Sequence, residues 1–339
     1  MTSLQAALDT GQLTPGAVYT HTATTAPLTL PQTVDGNRAT IEVTVPTPGT
    51  HWLFRPTIPD TNLYEFRIRI MSMHPDATLL ITGWEADELN MPGWDILKES
   101  PVGTAHWIRC KKKGRVDGLH ANDANVWGID RAWLRPNHFD SRVSNIYVRG
   151  GSYSNMRDCW MLNGVNGHIL SAHFEDVWFH NIDKGIGLQG EILSAVNCKF
   201  FGGMDECIHV EEKATLCSIS GTYLKGAVRK AAIRVVDNDV SGEHTSPDKI
   251  DILNSELHNT GIGSDAVGIQ LVHDGGADPC LNSLISNNYM EGFWIGVLNG
   301  SKLSANNELT RNVTHCDIGY RYLEDRALYN HWGPFIEKI

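Results

Sequence analysis

From about residue 145 onward, the apolar and polar positions repeat as a short phrase: a strand containing Asn or Gly, a turn, then an apolar-x-apolar triplet. The phrase reads Arg149-Gly-Gly-Ser-Tyr153, Phe174-Glu-Asp-Val-Trp178, Val196-Asn-Cys-Lys-Phe200, Ile219-Ser-Gly-Thr-Tyr223, Leu253-Asn-Ser-Glu-Leu257, Ile285-Ser-Asn-Asn-Tyr289 and Ala305-Asn-Asn-Glu-Leu309. Its spacing of 25, 22, 23, 34, 32 and 20 residues is too long for a hairpin meander and too strand-like for a helical repeat. One coil of a β-solenoid accounts for it.

A second ladder keeps step: Ile186-Gly-Leu188, Ile208-His-Val210, Ile233-Arg-Val235, Ile269-Gln-Leu271, Ile295-Gly-Val297 and Ile318-Gly-Tyr320. Side chains alternate along a strand, so the outer members of each triplet point inward together. Stacked coils then bury a continuous apolar column that no single coil could bury alone.

The pattern divides the chain into a β-rich cap or attachment module over residues 1–100, a solenoid over 101–322 and a C-terminal cap over 323–339. The first segment is rich in Thr and Pro and alternates in Ala39–Val45 and Tyr64–Ile70, as half-exposed strands do. The one convincing helix signal is Thr2-Ser-Leu-Gln-Ala-Ala-Leu-Asp9. Excursions at 237–248 and 273–279 interrupt the coils, and such excursions often carry binding function.

A formal charge of -11 argues against a nucleic-acid partner. Seven Cys residues without a C-x-x-C pair suggest neither a disulfide framework nor a zinc site, so no metal and no cofactor is expected. The start of the sequence lacks a basic and apolar leader and no stretch reaches the ~20 apolar residues of a membrane span, so neither export nor membrane insertion is expected.

The Asn-rich strand followed by an Ile-Gly-containing strand resembles the right-handed parallel β-helix of the pectate-lyase-like superfamily. Within it, Ser3-Leu-Gln-Ala-Ala-Leu8 is similar to the short leader of bacteriophage tailspikes and minor tail proteins. The resemblance implies an all-β solenoid with a β-rich N-terminal region. The superfamily spans lyases, hydrolases, epimerases and inert adhesins, so the fold alone assigns no reaction. The calcium and arginine motifs of pectate lyases and the Asp-Asp setting of polygalacturonases have no counterpart here.

Candidate chemistry gathers on the outward positions of the second ladder. His209, Glu211 and Arg234 share one patch across rungs ~4.8 Å apart, with Asp274 as a further catalytic candidate. Gln189, Asp237, Gln270 and His273 surround it as glycan-binding candidates. Glu211 and Asp274, two rungs apart, would stand at roughly 9–10 Å, near the upper end for inverting glycosidases. His209 or Arg234 would alternatively assist proton abstraction beside a uronate carboxylate, and a plain surface ion pair is the bland alternative. Trp84 and Trp94, in less regular segments, are candidates for stacking on carbohydrate. Trp178 is expected to pack inward with Phe200 and Tyr223. Val236, Val272 and Leu298 are expected to face outward on a flat apolar face suited to three-fold association.

The first expectation is a phage-type tail protein: a homotrimer in the virion, made in the host cytoplasm, that binds host-surface polysaccharide and other virion proteins, with depolymerase activity left open. The alternative is a monomeric, extracellular polysaccharide lyase or glycoside hydrolase. A purely architectural solenoid is the third reading.

Overall fold

A computed structural model describes residues 3–85, 87–110, 115–134, 142–162, 168–211, 214–237, 247–261, 265–273, 282–299, 308–322, 331–332 and 336–337. The chain is an all-β, right-handed parallel β-helix with a β-rich N-terminal region, the fold class expected. It divides into two compact units, one built chiefly from residues 1–160 and the other chiefly from 169–339.

The first unit opens with helix Leu4–Leu8, where Ser3 caps the N-terminus by accepting from the Ala6 N–H at 3.2 Å. Parallel pairing of strands begins at Val18, after a single parallel bridge from Gln12 to Asp35, well inside the segment expected to form a cap or attachment module. Val18–Thr22, Thr40–Val45, Arg67–Met73, Asp95–Lys98, Asn125–Trp127 and Ser152–Met161 follow one another in register along one face. A second face runs Thr33–Asp35, Thr61–Tyr64, Leu89–Asn90, Arg115–Asn122 and Arg142–Arg149, and a third runs Gly49–Phe54, Ala77–Trp84, Thr104–Cys110 and Arg131–Leu134.

Rings fill the interior of this unit. Phe54, Phe66, Trp94, Trp107 and Trp160 form a chain with centroids 5.1–6.0 Å apart, and Trp84 and Trp133 extend it at 6.2 and 6.5 Å. Trp84 and Trp94 are wholly buried, and Trp94 Nε1 donates to the Leu63 carbonyl at 2.8 Å. Neither ring has a face to offer a glycan, which corrects that expectation. An irregular sequence around a Trp did not mean exposure: Trp84 closes the strand Ala77–Trp84 and Trp94 stands just before Asp95–Lys98, both turned into the core.

The second unit carries the predicted ladder. Ile186, Ile208, Ile233 and Ile269 are in register, as are Leu188, Val210, Val235 and Leu271. The next step slips by two residues: Ile269 pairs with Val297, and Ile295 pairs with Val267. Because the side-chain period is two, the slip leaves the buried face buried. The last phrase also moves, since Ile285 pairs with Leu309 and Tyr289 with Val313. The seventh repeat is therefore Leu309 to Val313, whereas residues 301–307 lie outside the described residues.

The Asn in the phrase has two physical reasons. Gly150, Asp176, Asn197, Gly221, Asn254 and Asn287 occupy the corner at φ between 52° and 64°, a conformation that Asn, Asp and Gly tolerate. The Asn that follows forms a buried ladder: Asn288 accepts from the Ser255 N–H at 2.9 Å and donates to the Ile252 carbonyl at 2.9 Å, while Asn312 donates to the Ile285 carbonyl at 2.9 Å. Each amide satisfies backbone groups that the turn takes out of the strand ladder. Asn312 is thus buried. Among the described residues, no helix is long and apolar enough to cross a membrane.

Candidate active site

The site begins with two irregularities. Strand Trp178–Leu188 shifts register between His180 and Lys184, and strand Lys199–Val210 between Met204 and Glu206. Bulges of this kind re-aim the side chains that follow. Lys184 and Glu206 emerge from them as register neighbours, and His209 and Arg234 are matched three residues on from Glu206.

Glu206 and His209 are nearly closed off, at 1% and 5% side-chain exposure. His209 Nδ1 donates to Glu206 Oε2 at 2.6 Å and Nε2 donates to Glu211 Oε1 at 3.0 Å. Only an imidazolium donates from both nitrogens. Burial by itself would push the His209 pKa down, but the bonds to Glu206 and Glu211 outweigh it and hold the pKa above the usual value. Burial would likewise raise Glu206; the His209 bond, with the charges of His209, Lys184 and Arg234, brings its carboxyl down to about 2. Arg234 Nη1 lies 3.5 Å from Glu206 Oε1.

Among the described residues, the cluster thus sets three cations, Lys184, His209 and Arg234, against the carboxylates of Glu206 and Glu211. Glu211 and Arg234 keep 18% and 21% of their side chains in contact with solvent, so the cluster is buried at its base and open at its rim. Such a rim can hold an anionic group and move a proton at a carboxylate. His209 cannot act as a free base, because both nitrogens are engaged.

Of the other candidates, Gln270 is in register with Arg234 and half-buried, so it belongs to the same row. Gln189 is buried at the end of its strand. Asp237 and His273 are register partners, but their side chains, and Asp274 altogether, lie outside the described residues. Lys184 and Glu206 were missed by sequence reasoning. The available signal was a charge two positions before the triplet Ile, where later coils carry Ala231 and Val267.

Of the flat apolar face expected beside this row, Val272 is half-buried. Val236 and Leu298 are buried within the chain; Leu298 packs with Ala231, Val267 and Ile295 against Trp294 and Ile318. Among the described residues, no group of three or more His, Cys, Asp or Glu has the placement to hold a metal ion.

No family model matches the chain, and no curated protein matches it. Among solved structures it is similar to the A-module of the mannuronan C-5 epimerase AlgE6 of Azotobacter vinelandii, at 16% identity and a TM-score of 0.43 over 99% of this chain and 94% of that one. It is also similar to a PL6 alginate lyase in complex with a trisaccharide, at 11% identity and a TM-score of 0.40 over 98% and 81%. Neither is a phage tail protein. The tailspike or minor-tail reading, with its homotrimer, virion partners and virion location, is corrected on that finding. Likeness at this level carries nothing about substrate or reaction, for which the side chains must speak.

Proposed function

We propose that this protein is a carbohydrate-active enzyme of the polysaccharide-lyase type, acting on an acidic polysaccharide at the Lys184, Glu206, His209, Glu211 and Arg234 cluster. The observation that carries the reading is the excess of positive charge among the described residues of the cluster, on a chain whose formal charge is -11, at a rim left open to solvent. An anionic ligand is drawn to such a spot and away from the rest of the surface.

In this reading Arg234 neutralises the uronate carboxylate, which acidifies the neighbouring C5–H. Glu211, held in place by the His209 imidazolium, accepts that proton. The C5–H electron pair forms the C4–C5 double bond, the C4–O bond breaks, and the leaving oxygen takes a proton from water. Hydrolysis with Glu206 and Glu211 as the carboxylate pair fits less well, because both are bonded to the one imidazole ring of His209; Asp274, the partner expected for Glu211, lies outside the described residues.

The test is a panel of uronate-containing polysaccharides followed by ultraviolet absorbance of the conjugated double bond. Wild-type protein should generate the absorbance, and Arg234→Ala should lower kcat/KM by about 10²-fold or more while remaining folded. New reducing ends without absorbance would show hydrolysis and overturn the proposal.

A further inference from the structure

Trp178, expected inside, is 42% exposed. The buried ring is its neighbour Phe179, which stacks on Phe200 at 4.7 Å. Trp178 instead starts a row on the outer face of the second unit, well away in sequence register from the cluster above. Two columns of outward side chains run down this face. One reads Trp178, Lys199, Tyr223, Glu256, Tyr289; the other reads His180, Phe201, Lys225, His258, Glu291, His315.

The two columns alternate. From strand Lys199–Val210 to strand Tyr289–Glu291, every rung presents one ring and one charge, and the ring changes column at each step. Centroid distances are 5.7 Å from Trp178 to Phe201, 5.9 Å on to Tyr223, 6.0 Å to His258, 5.3 Å to Tyr289 and 5.5 Å to His315. His258 is clamped by Glu256 and Glu291, each at 2.7 Å, and shallow depressions of about 520 and 400 Å³ flank it. Lys199 lies 4.6 Å from the Trp178 ring centroid. Rings that a core would have taken are left on a surface, in a file that repeats every ~4.8 Å.

We propose that this face is a polysaccharide-binding track, separate from the candidate active site, in which successive rings stack on sugar faces and the interleaved Lys and Glu side chains bond sugar hydroxyls. A pyranose has an apolar C–H face and a polar rim, which matches a ring beside a hydrogen-bonding charge. A linear polymer of such units matches a linear file of rungs. Lys199, Lys225 and charged His258 are offset by Glu256 and Glu291, so stacking carries the affinity and salt weakens it little. The choice of ligand class rests on the carbohydrate reading above, and the track extends it from one site to a length of chain.

The experiment is co-sedimentation or affinity electrophoresis of the full chain with insoluble and soluble polysaccharides, scored for binding without reference to turnover. Tyr223→Ala with Tyr289→Ala should weaken binding by roughly tenfold, while Tyr223→Phe with Tyr289→Phe, which keeps both rings, should bind as wild type does. Turnover of short oligosaccharides should be unchanged. If the alanine pair also alters the melting temperature, Trp178→Ala, at an exposed position, supplies the second test and should also weaken binding. Binding within twofold of wild type in the folded variants, or no binding by the wild type to any polysaccharide, overturns the track. Binding that depends on these rings in a protein inert toward every uronate would instead sink the lyase reading and leave the track standing.

Discussion

Replacing Glu206 by Gln should remove a contribution whose size and pH window follow from the site. The carboxyl is held at about 2, against an ordinary value of 4.5, in a side chain only 1% exposed. A displacement of that size corresponds to about 3 kcal/mol of stability at neutral pH, in line with the ~3–5 kcal/mol lost on breaking a buried ion pair. The pKa is depressed on folding, so this stability is present above 4.5 and is lost as pH falls through about 2. His209 runs the other way: its raised pKa contributes fully below 6.5 and is lost as pH rises through the raised folded value. The pair is therefore strongest between about pH 4.5 and 6.5.

A solenoid opens coil by coil, so the effect belongs to local rather than global unfolding. Hydrogen exchange read on peptides spanning Lys199–Val210 is the suitable assay. Glu206→Gln should lower protection there by about 3 kcal/mol at pH 6, and the deficit should shrink at pH 3, where the carboxyl of the opened state is protonated. Equal deficits at the two pH values, or a deficit under ~0.5 kcal/mol at pH 6, would refute the electrostatic account.

Asn288→Ala leaves the buried Ser255 N–H and Ile252 carbonyl without their side-chain partner and should cost about 2–3 kcal/mol, visible as faster exchange in Tyr289–Glu291. Trp94→Ala empties the middle of the ring chain and should cost about 3–5 kcal/mol, read as a lower first transition in thermal unfolding followed by near-ultraviolet circular dichroism. Gly226→Ala places a Cβ against the Gly202 carbonyl, so the variant should accumulate poorly in soluble form unless the rung shifts, which the yield relative to Ala227→Gly would show.

The phage expectation came from a short leader similarity, Ser3 to Leu8, and from a face thought to be flat and apolar, beside the absence of an export signal and the odd number of thiols. Leu298 and Val236 show why the second ground was unsafe. They do alternate out of the apolar column, but both are buried, Leu298 against Trp294 and Ile318. The coils before residue 100 were missed for a different reason. Their corners are made by Arg38, Glu65 and Gly93 at positive φ, with Asn37 beside Arg38, so the Asn signature does not recur although the geometry is the same.

What the sequence determined was the repeat: apolar residues at period two, corner residues at intervals of one coil, and thus a parallel solenoid with a ladder of Ile and Val inside. It also placed His209, Glu211 and Arg234 together, because in-register coils bring residues distant in sequence onto adjacent rungs. Tertiary structure decided what faces where. A one-residue displacement exchanges Trp178 with Phe179 between surface and core, and a pattern of short phrases does not fix strand register to one residue. The bulges before Lys184 and Glu206 turn two unremarked charges into the base of the candidate active site. Bulges follow from how neighbouring coils pair, which no single coil encodes.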